Sequence, residues 1–190
     1  MQTIIEDEEF VGIDFTLKAF GPITYENCVF KKCHFLGVDL SQFHFEESEF
    51  EQCDLSLAKL NATALRGISF KQCKMMGLHF EDCNDFRFSL SFQSCTLDNS
   101  TFYNMKLKGT AFVECRLREC DFSSADLSNS MFFGSDLGNA VFDQTNLSGC
   151  DFRETSNLTI DPEKNTIKKA KFHINGVFGL MTKYDIEIEN

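Results

Sequence analysis

The sequence has no long hydrophobic run, no tryptophan and no signal-like N-terminus. Its 190 residues include 22 phenylalanines and no tryptophan. No apolar stretch approaches the roughly 20 residues that a membrane-spanning helix needs. The N-terminus, Met-Gln-Thr-Ile-Ile-Glu-Asp-Glu-Glu, is acidic, whereas a secretory signal begins with a basic segment. We therefore expect no membrane segment and a cytoplasmic location.

The motifs of catalysis and metal binding are also missing. There is no glycine-rich phosphate loop, nucleophile elbow or paired-histidine motif. No Cys-x-x-Cys or mixed Cys/His cluster has the spacing of a zinc site, and the four histidines are scattered. We predict that the protein is not an enzyme, with no catalytic, cofactor-binding or metal-binding residues and no cofactor.

What the sequence does contain is a bulky apolar residue at every fifth position. From Phe92 to Phe152 this repeat is unbroken, and the residue two positions earlier is usually small. An α-helix has a period of 3.6 and a strand a period of 2, so neither holds this repeat in register. The period predicts a backbone that turns a corner every five residues. Four such sides close a square coil of twenty residues, and stacked coils form a solenoid.

The first half of the chain carries the same repeat in a different phase. Its central residues fall at multiples of five from Phe10 to Phe80, and the count then slips by two residues within 84–91. This slip is either a small bulge without a role or a projecting feature that docks to a partner. Its candidate contact residues are Asp85, Phe86 and Arg87.

Nine cysteines follow the repeat and give independent support for the slip. Cys33, Cys53 and Cys73 are twenty residues apart, the step to Cys95 is twenty-two, and the step to Cys115 is again twenty. Side chains stacked in this way point in parallel, which does not suit a disulfide. All nine cysteines occupy the small inward position, so we expect buried free thiols and hence a reducing compartment.

These patterns predict an all-β protein with two parts. Residues 1–155 are expected to form a right-handed quadrilateral β-helix, and 156–190 a capping or dimerisation tail with a short helix and strand. In the tail, 157–165 is typical of a turn and 167–172 of a last extended edge. Asn175 is the expected N-cap of a helix over 176–183, and 185–189 alternates like a strand. A solenoid end must be covered, either by its own tail or by a second copy.

The net charge of −11 is unevenly placed. Residues 1–155 hold 24 acids and 13 bases, residues 156–190 hold five of each, and no Lys or Arg lies between Asp121 and Phe152. Such a surface argues against direct nucleic-acid binding and favours a basic partner. About seven coils spaced by ~4.8 Å make a rod of about 34 Å, with roughly one net charge per 3 Å. Duplex DNA carries about one charge per 1.7 Å.

Several motifs resemble those of a known family. Cys120-Asp-Phe-Ser-Ser, Ala125-Asp-Leu-Ser-Asn and Cys150-Asp-Phe-Arg-Glu resemble the pentapeptide-repeat superfamily. The tail is similar to that of its quinolone-resistance and microcin-immunity branch, as is Phe88-Ser-Leu90 followed by a cysteine pentapeptide. The tail segments concerned are Ile160-Asp-Pro-Glu-Lys-Asn, Ile167-Lys-Lys-Ala-Lys-Phe and Gly179-Leu-Met-Thr-Lys-Tyr-Asp-Ile-Glu-Ile.

The resemblance implies a right-handed β-helix dimer that binds DNA gyrase or topoisomerase IV and relieves inhibitors of the enzyme. It also implies that the tail forms the homodimer. Several members carry a long loop near mid-chain where this chain has only the two-residue slip, so the loop-poor members and the microcin immunity protein are the closer match. The expected dimer contacts are Phe172, Val177, Phe178, Leu180, Met181, Tyr184, Ile186 and Ile188.

We therefore predict a DNA-mimicking protein that protects a type II topoisomerase from fluoroquinolones or from a gyrase-directed toxin. The alternative is a non-catalytic interaction scaffold for an unrelated basic partner. The acids assigned to the topoisomerase contact are Glu46, Glu47, Glu49, Glu51, Asp121, Asp126, Asp136, Asp143 and Asp151.

Overall fold

The computed structural model describes residues 3–17, 21–184 and 186–187, which form a column of stacked square coils. The strands are β1 (Thr3–Glu6), β2 (Glu9–Val11), β3 (Ile23–Glu26), β4 (Val29–Lys31), β5 (His44–Glu46), β6 (Glu49–Glu51), β7 (Ala64–Arg66), β8 (Ile68–Lys71), β9 (Leu90–Gln93) and β10 (Ala111–Val113). Short 3₁₀ helices span Phe15–Leu17, Phe80–Asp82, Ile174–Leu180 and Thr182–Tyr184. The predicted all-β, quadrilateral solenoid is confirmed.

Parallel pairing between successive coils defines four faces. On the first face β1, β3, β5 and β7 pair in order, with Thr3 opposite Ile23. On the second face the order is β2-β4-β6-β8-β9-β10. Isolated parallel bridges build the third face, beginning with Asp14–His34, and the fourth, beginning with Asp39–Lys59. The register of twenty residues per coil is the one that the repeat predicts.

The core is a set of stacked rings that run along the column. On the second face, the phenylalanine column begins at Phe10 and ends at Phe172, with successive ring centroids 4.7–5.5 Å apart. Rings on opposite faces meet edge to face, as Phe112 and Phe122 do at 5.9 Å. Offset stacking and edge-to-face contact are both favourable arrangements for aromatic pairs. Phenylalanine therefore suits this core because it fills the coil and brings no polar group.

The corners explain the small and polar residues that follow each central residue. The residue two positions after the centre is usually in the left-handed region, with φ of 66° at Gln42 and 46° at Glu47. Side chains branched at Cβ are strained there. Among the described residues with positive φ none is Val, Ile or Thr, and glycine takes the position at Gly67 and Gly149. The turn thus selects the residue type at this position.

The two-residue slip lies where the sequence places it. Ala64 bridges Asn84, twenty residues ahead, whereas Ile68 pairs with Leu90, twenty-two ahead. The two extra residues are therefore accommodated between Asn84 and Leu90. Asp85, Phe86 and Arg87 are all exposed on this bulge.

The coils extend further than the repeat pattern indicates. Bridges join Asn146 to Thr166 and Asp151 to Lys171, so the stack continues beyond residue 155. Asn165 occupies an inward position: its side chain accepts from the Thr145 N–H and donates to the Phe142 carbonyl. An amide that satisfies these backbone groups replaces the small inward residue of an ordinary coil. Residues 157–165 therefore contribute to a coil and are more than a turn.

The tail also differs from the expected helix. Residues Ile174–Leu180 form a 3₁₀ helix, and its N-cap is His173, whose side chain accepts from the Asn175 N–H at 3.3 Å. The expected cap at Asn175 is therefore wrong, and the helix begins two residues before the expected start at 176. A 3₁₀ helix suits so short a segment, which is held by the last coil. The predicted strand over 185–189 lies largely outside the described residues.

All nine cysteines are free, and eight of them are buried. The Cys53 thiol donates to the Phe30 carbonyl at 3.2 Å, and burial raises the pKa of Cys120 to about 12. A thiol such as that of Cys120 is protonated and acts as a small core residue. Cys83 is half-buried, in contrast to the expectation for all nine, because it lies beside the slip. No helix in the described part of the chain is long and apolar enough to cross a membrane.

Candidate functional site: an acidic corner, a bulge and a tail

Acidic residues of the first three coils gather along the edge between the first and second faces. They come from β1 to β6 and from the turns that join these strands. We call this set the N-terminal acidic corner: Glu6, Asp7, Glu8, Glu9, Glu26, Glu46, Glu47, Glu49 and Glu51. Four of the nine acids predicted for the topoisomerase contact, Glu46, Glu47, Glu49 and Glu51, belong to it.

The centre of this corner is a ladder of like charges. Glu6 lies opposite Glu26, and Glu26 opposite Glu46, in the parallel register of β1, β3 and β5. Adjacent strands are about 4.8 Å apart, so three glutamates follow one another along the face at that backbone spacing. Like charges placed directly opposite in a sheet are destabilising. The twenty-residue spacing of Glu6 and Glu26 is visible in the sequence, but acid density alone did not single them out.

In the described chain, bases pair with only three acids of this corner. Lys31 pairs with Glu9 at 2.6 Å and Lys71 with Glu49 at 2.8 Å. In the described parts of the chain, no ion pair within 4 Å reaches the remaining acids apart from Glu46. The corner therefore keeps a negative field that can attract a basic surface.

At one end the corner meets the bulge. The Arg66 guanidinium lies 5.3 Å from the centre of the Phe86 ring, and its Nε donates to the Phe86 carbonyl at 3.2 Å. Arg66 and Arg87 each approach the Glu46 carboxylate at 3.7 Å. Phe86 is 63% exposed in spite of these contacts. Arg66 thus holds an exposed aromatic ring beside the acidic ladder, a role that sequence reasoning did not give to it.

The five aspartates of the second half do not form one surface. Asp126 lies on the first face, Asp151 on the second and Asp136 on the third. Asp121 is on the fourth face, and Asp143 follows the central residue of that face. The predicted contact set is therefore divided between the compact N-terminal acidic corner and single charges distributed around the column.

Most of these aspartates have a structural role that the sequence reasoning missed. Asp121, Asp126, Asp136 and Asp151 each accept the backbone N–H of the residue two positions later. This side-chain turn is typical of Asp and explains its frequency before the central residue. The recurring Asp-x-Ser, Asp-x-Gly and Asp-x-Arg triplets are the signal that identifies it.

Basic neighbours further reduce the free charge of this group. The Arg153 side chain donates to Asp151 and holds its pKa below the usual range. Partial burial opposes ionisation of Asp136, but hydrogen bonds from Asn157 and Arg118 outweigh it and lower its pKa. Lys164 lies 3.7 Å from Asp143. Only Asp121 and Asp126 have no ion pair within 4 Å in the described chain.

The tail is fixed to the last coil by three kinds of contact. Lys183 pairs with Asp161 at 2.6 Å and Glu163 at 2.7 Å, and the Tyr184 hydroxyl donates to Glu163 at 3.0 Å. The Lys183 hydrogen bond lowers the pKa of Asp161 and that of Glu163. The Ile160 N–H donates to the Gly179 carbonyl. These contacts hold the 3₁₀ helices of the tail against the end of the solenoid.

The predicted dimer residues fall into three groups. Val177, Phe178, Tyr184 and Ile186 are exposed apolar side chains, and Leu180 and Met181 are partly buried. Ile174, which the sequence reasoning missed, is 72% exposed beside them. Phe172 is partly buried and stacks on Phe152 as the last ring of the core column, and its place in the interface stays a prediction. Ile188 lies outside the described residues.

This arrangement is suited to binding by charge and shape. No group of three or more His, Cys, Asp or Glu in the described segments is placed to hold a metal ion. What the residues bring together is an acidic ladder in which, within the described chain, only Glu46 forms an ion pair, an exposed ring on the bulge and an apolar tail surface. Electrostatic complementarity of this kind speeds association and selects partners by charge.

Comparison with known proteins agrees with this architecture. A trypsin-treated form of QnrB1, a plasmid-mediated fluoroquinolone resistance protein, superposes with a TM-score of 0.65 at 20% identity, covering 98% of this chain and 100% of that one. A second trypsin-treated QnrB1 structure gives a TM-score of 0.63 at 20% identity over 100% of both chains. At this level of identity the likeness supports the fold.

Two curated sequences are also similar. The pentapeptide repeat protein MfpA of Mycobacterium tuberculosis is 33% identical over 92 residues, which is 48% of this chain and 41% of the relative. MfpA of Mycolicibacterium smegmatis is 42% identical over 52 residues, 27% of each chain. The match thus spans less than half the length of either relative. The profile described as "Pentapeptide repeat region" matches residues 23–89 and 87–161. The chain belongs to the pentapeptide-repeat family, as its motifs predicted.

Proposed function

We propose that this protein is a non-enzymatic DNA mimic that binds a type II topoisomerase, DNA gyrase or topoisomerase IV. In this role it protects the enzyme from inhibitors such as fluoroquinolones or a gyrase-directed toxin. It acts in the cytoplasm and does not itself bind nucleic acid. The fold shared with a fluoroquinolone resistance protein and the motifs of the quinolone-resistance branch support the proposal.

The observation that carries the proposal is the Glu6–Glu26–Glu46 ladder. The strands that carry its glutamates are about 4.8 Å apart, of the same order as the 3.4 Å between charges along one DNA strand. The ladder costs stability, since three like charges face one another in register. Local violations of stabilising rules are expected at functional sites. A basic channel that normally holds a duplex would compensate these charges.

A supercoiling assay tests the function directly. Purified gyrase and topoisomerase IV are inhibited with a fluoroquinolone, and the protein is added at micromolar concentration. We expect supercoiling or decatenation activity to be retained and drug-induced DNA cleavage to fall. Absence of both inhibition and rescue rejects the proposal. Recovery of some other basic protein in a pull-down, with no topoisomerase subunit, then identifies the scaffold alternative.

We further propose that the tail joins two copies into a homodimer, which doubles the length of the acidic rod. The exposed apolar side chains of the tail, including Ile174, Phe178 and Ile186, form the contact. A symmetric pair joined at this end buries these residues and covers the end of the solenoid. The placement of the tail against the last coil is therefore a condition for the dimer.

Two glycines of the tail provide a matched test. A Cβ on Gly179 would overlap the carbonyl oxygen of Leu158, whereas a Cβ on Gly176 meets nothing within 4 Å. Gly179→Ala should therefore displace the tail from the last coil and weaken the dimer about tenfold or more. Gly176→Ala should leave it unchanged. Analytical ultracentrifugation of both variants measures the effect, and equal dissociation constants would contradict the proposed role of the tail.

A further inference from the structure

The two-residue slip opens a crevice between neighbouring coils. The ladder of the first face is interrupted after Asn84, and no hydrogen bond or bridge among the described residues joins Lys106 to the preceding coil. Lys106 does bridge Asp126 in the following coil. Between the separated segments is a crevice of about 620 Å³. Its walls include Glu81 and Asp85 on one side and Tyr103 and Lys106 on the other, with Phe88 and Cys83 between them.

One carboxylate oxygen of a residue that lines this crevice has no partner among the described residues. Glu81 Oε1 lies 3.1 Å from His79 Nδ1, but Glu81 Oε2 is buried and has no hydrogen-bond donor among the described residues. A buried acceptor left unsatisfied is costly, and native structures pair nearly all of them. The Glu81 side chain is 26% exposed, so a change in its torsion angles can turn this oxygen from its buried position towards a donor that enters the crevice.

The walls define the chemistry of the missing donor. Glu81 and Asp85 supply two carboxylates, and Tyr103 and Phe88 supply aromatic surfaces. A planar guanidinium matches this combination because it donates two parallel hydrogen bonds to a carboxylate and stacks on aromatic rings. We propose that the crevice binds an arginine side chain presented by the topoisomerase. This inference rests on the proposed function, and it makes the crevice an anchor point beside the acidic corner.

Substitution of Lys106 tests whether the ligand of the crevice is a cation or an anion. It is exposed at the crevice and forms no ion pair within 4 Å in the described chain, so it repels a cation and attracts an anion. Lys106→Gln should therefore strengthen binding of a guanidinium. An anionic ligand would respond in the opposite direction.

Adjacent acids provide a matched pair of variants. Glu81→Gln removes the charge of the crevice carboxylate, and Asp82→Asn removes the same charge from the next residue, which does not line the crevice. We expect Glu81→Gln to weaken binding of the intact protein to purified gyrase or topoisomerase IV about tenfold. Asp82→Asn should change it less than about twofold, and Lys106→Gln should tighten it about twofold. Equal effects of Glu81→Gln and Asp82→Asn overturn the proposal.

Titration with N-acetyl-arginine amide, monitored by NMR, separates the crevice from the proposed function. We expect saturable shifts at the Tyr103, Asn104 and Lys106 amides, lost in Glu81→Gln and retained in Asp82→Asn. If these shifts appear but wild-type protein binds neither topoisomerase, the proposed function is rejected. The crevice then remains a site for a free guanidinium. If wild-type protein binds the topoisomerase and the probe causes no shifts, the arginine site is wrong. Thermal unfolding of each variant checks that the fold is intact.

Discussion

Glu26→Lys should make the protein more stable and, at the same time, a weaker ligand of the topoisomerase. Glu26 lies between Glu6 and Glu46 in the same sheet, so a lysine there turns two repulsive cross-strand pairs into attractive ones. Each such pair contributes roughly 0.2–1 kcal/mol, which predicts a gain of about 1 kcal/mol in the free energy of unfolding. The same change removes the centre of the negative ladder and should lower affinity about tenfold. A substitution that raises the free energy of unfolding but lowers affinity for the topoisomerase identifies a residue that is retained for binding.

A triple variant should enlarge the loss of binding. Reversal of Glu6, Glu26 and Glu47 together is expected to weaken the complex at least about a hundredfold, mainly through slower association at low salt. Glu119→Lys is the matched control, because Glu119 is an exposed corner residue like Glu47 but belongs to the third face. Binding is measured at two ionic strengths, with urea unfolding in parallel. If Glu119→Lys weakened binding as much as Glu26→Lys, net charge alone would explain the effect and the ladder would have no special role.

Glu46 is unsuitable for this experiment, for a reason that the structure makes clear. Its carboxylate is approached by both Arg66 and Arg87, which hold the bulge. A substitution there would change the position of Phe86 as well as the charge of the corner. Glu6 and Glu26 report the ladder alone.

The sequence was sufficient to predict the coils because each residue position in a solenoid has one environment. A five-residue period with a large inward residue leaves few other folds, and the change of phase between Phe80 and Phe92 located the slip to within a few residues. The pattern ended too early because Asn165 performs by hydrogen bonding what a small residue does by size. A polar side chain buried in this way does not resemble the repeat, so periodicity alone cannot find it.

The candidate site was less predictable, since it depends on which faces the residues share. Asp121, Asp126, Asp136 and Asp151 are close in sequence, yet successive pentapeptides point in different directions around the square. Glu6 and Glu26 are twenty residues apart and become neighbours. Spacing by whole coils, more than local acid density, is therefore the property that identifies a surface in this fold. The crevice beside Glu81 was beyond prediction, because it depends on hydrogen bonds that the slip interrupts.

Phe132→Ala and Phe133→Ala should have very different effects on the free energy of unfolding, although the two residues are adjacent. Phe132 is fully buried and stacks on Phe112 at 5.0 Å and on Phe152 at 5.1 Å, whereas Phe133 is 48% exposed. Loss of the buried ring leaves a cavity that stacked coils cannot close, so Phe132→Ala should cost about 3–5 kcal/mol of unfolding free energy. Phe133→Ala should cost less than about 1 kcal/mol.

The consequence of Phe132→Ala for binding follows from the one-dimensional core. Each coil contacts only its neighbours, so a cavity at Phe132 uncouples the tail side from the N-terminal acidic corner without altering the corner itself. The urea unfolding curve of Phe132→Ala should broaden or divide into two transitions. One of these transitions is the unfolding of the coils that carry the acidic corner, and the other is the unfolding of the coils on the tail side. In a Gly179→Ala background, at protein concentrations where the monomer predominates, Phe132→Ala should change binding to the topoisomerase little at urea concentrations below the first unfolding transition. A sharp single transition at lower urea would show that the column unfolds as one cooperative unit, and that damage to any coil is transmitted to the acidic corner.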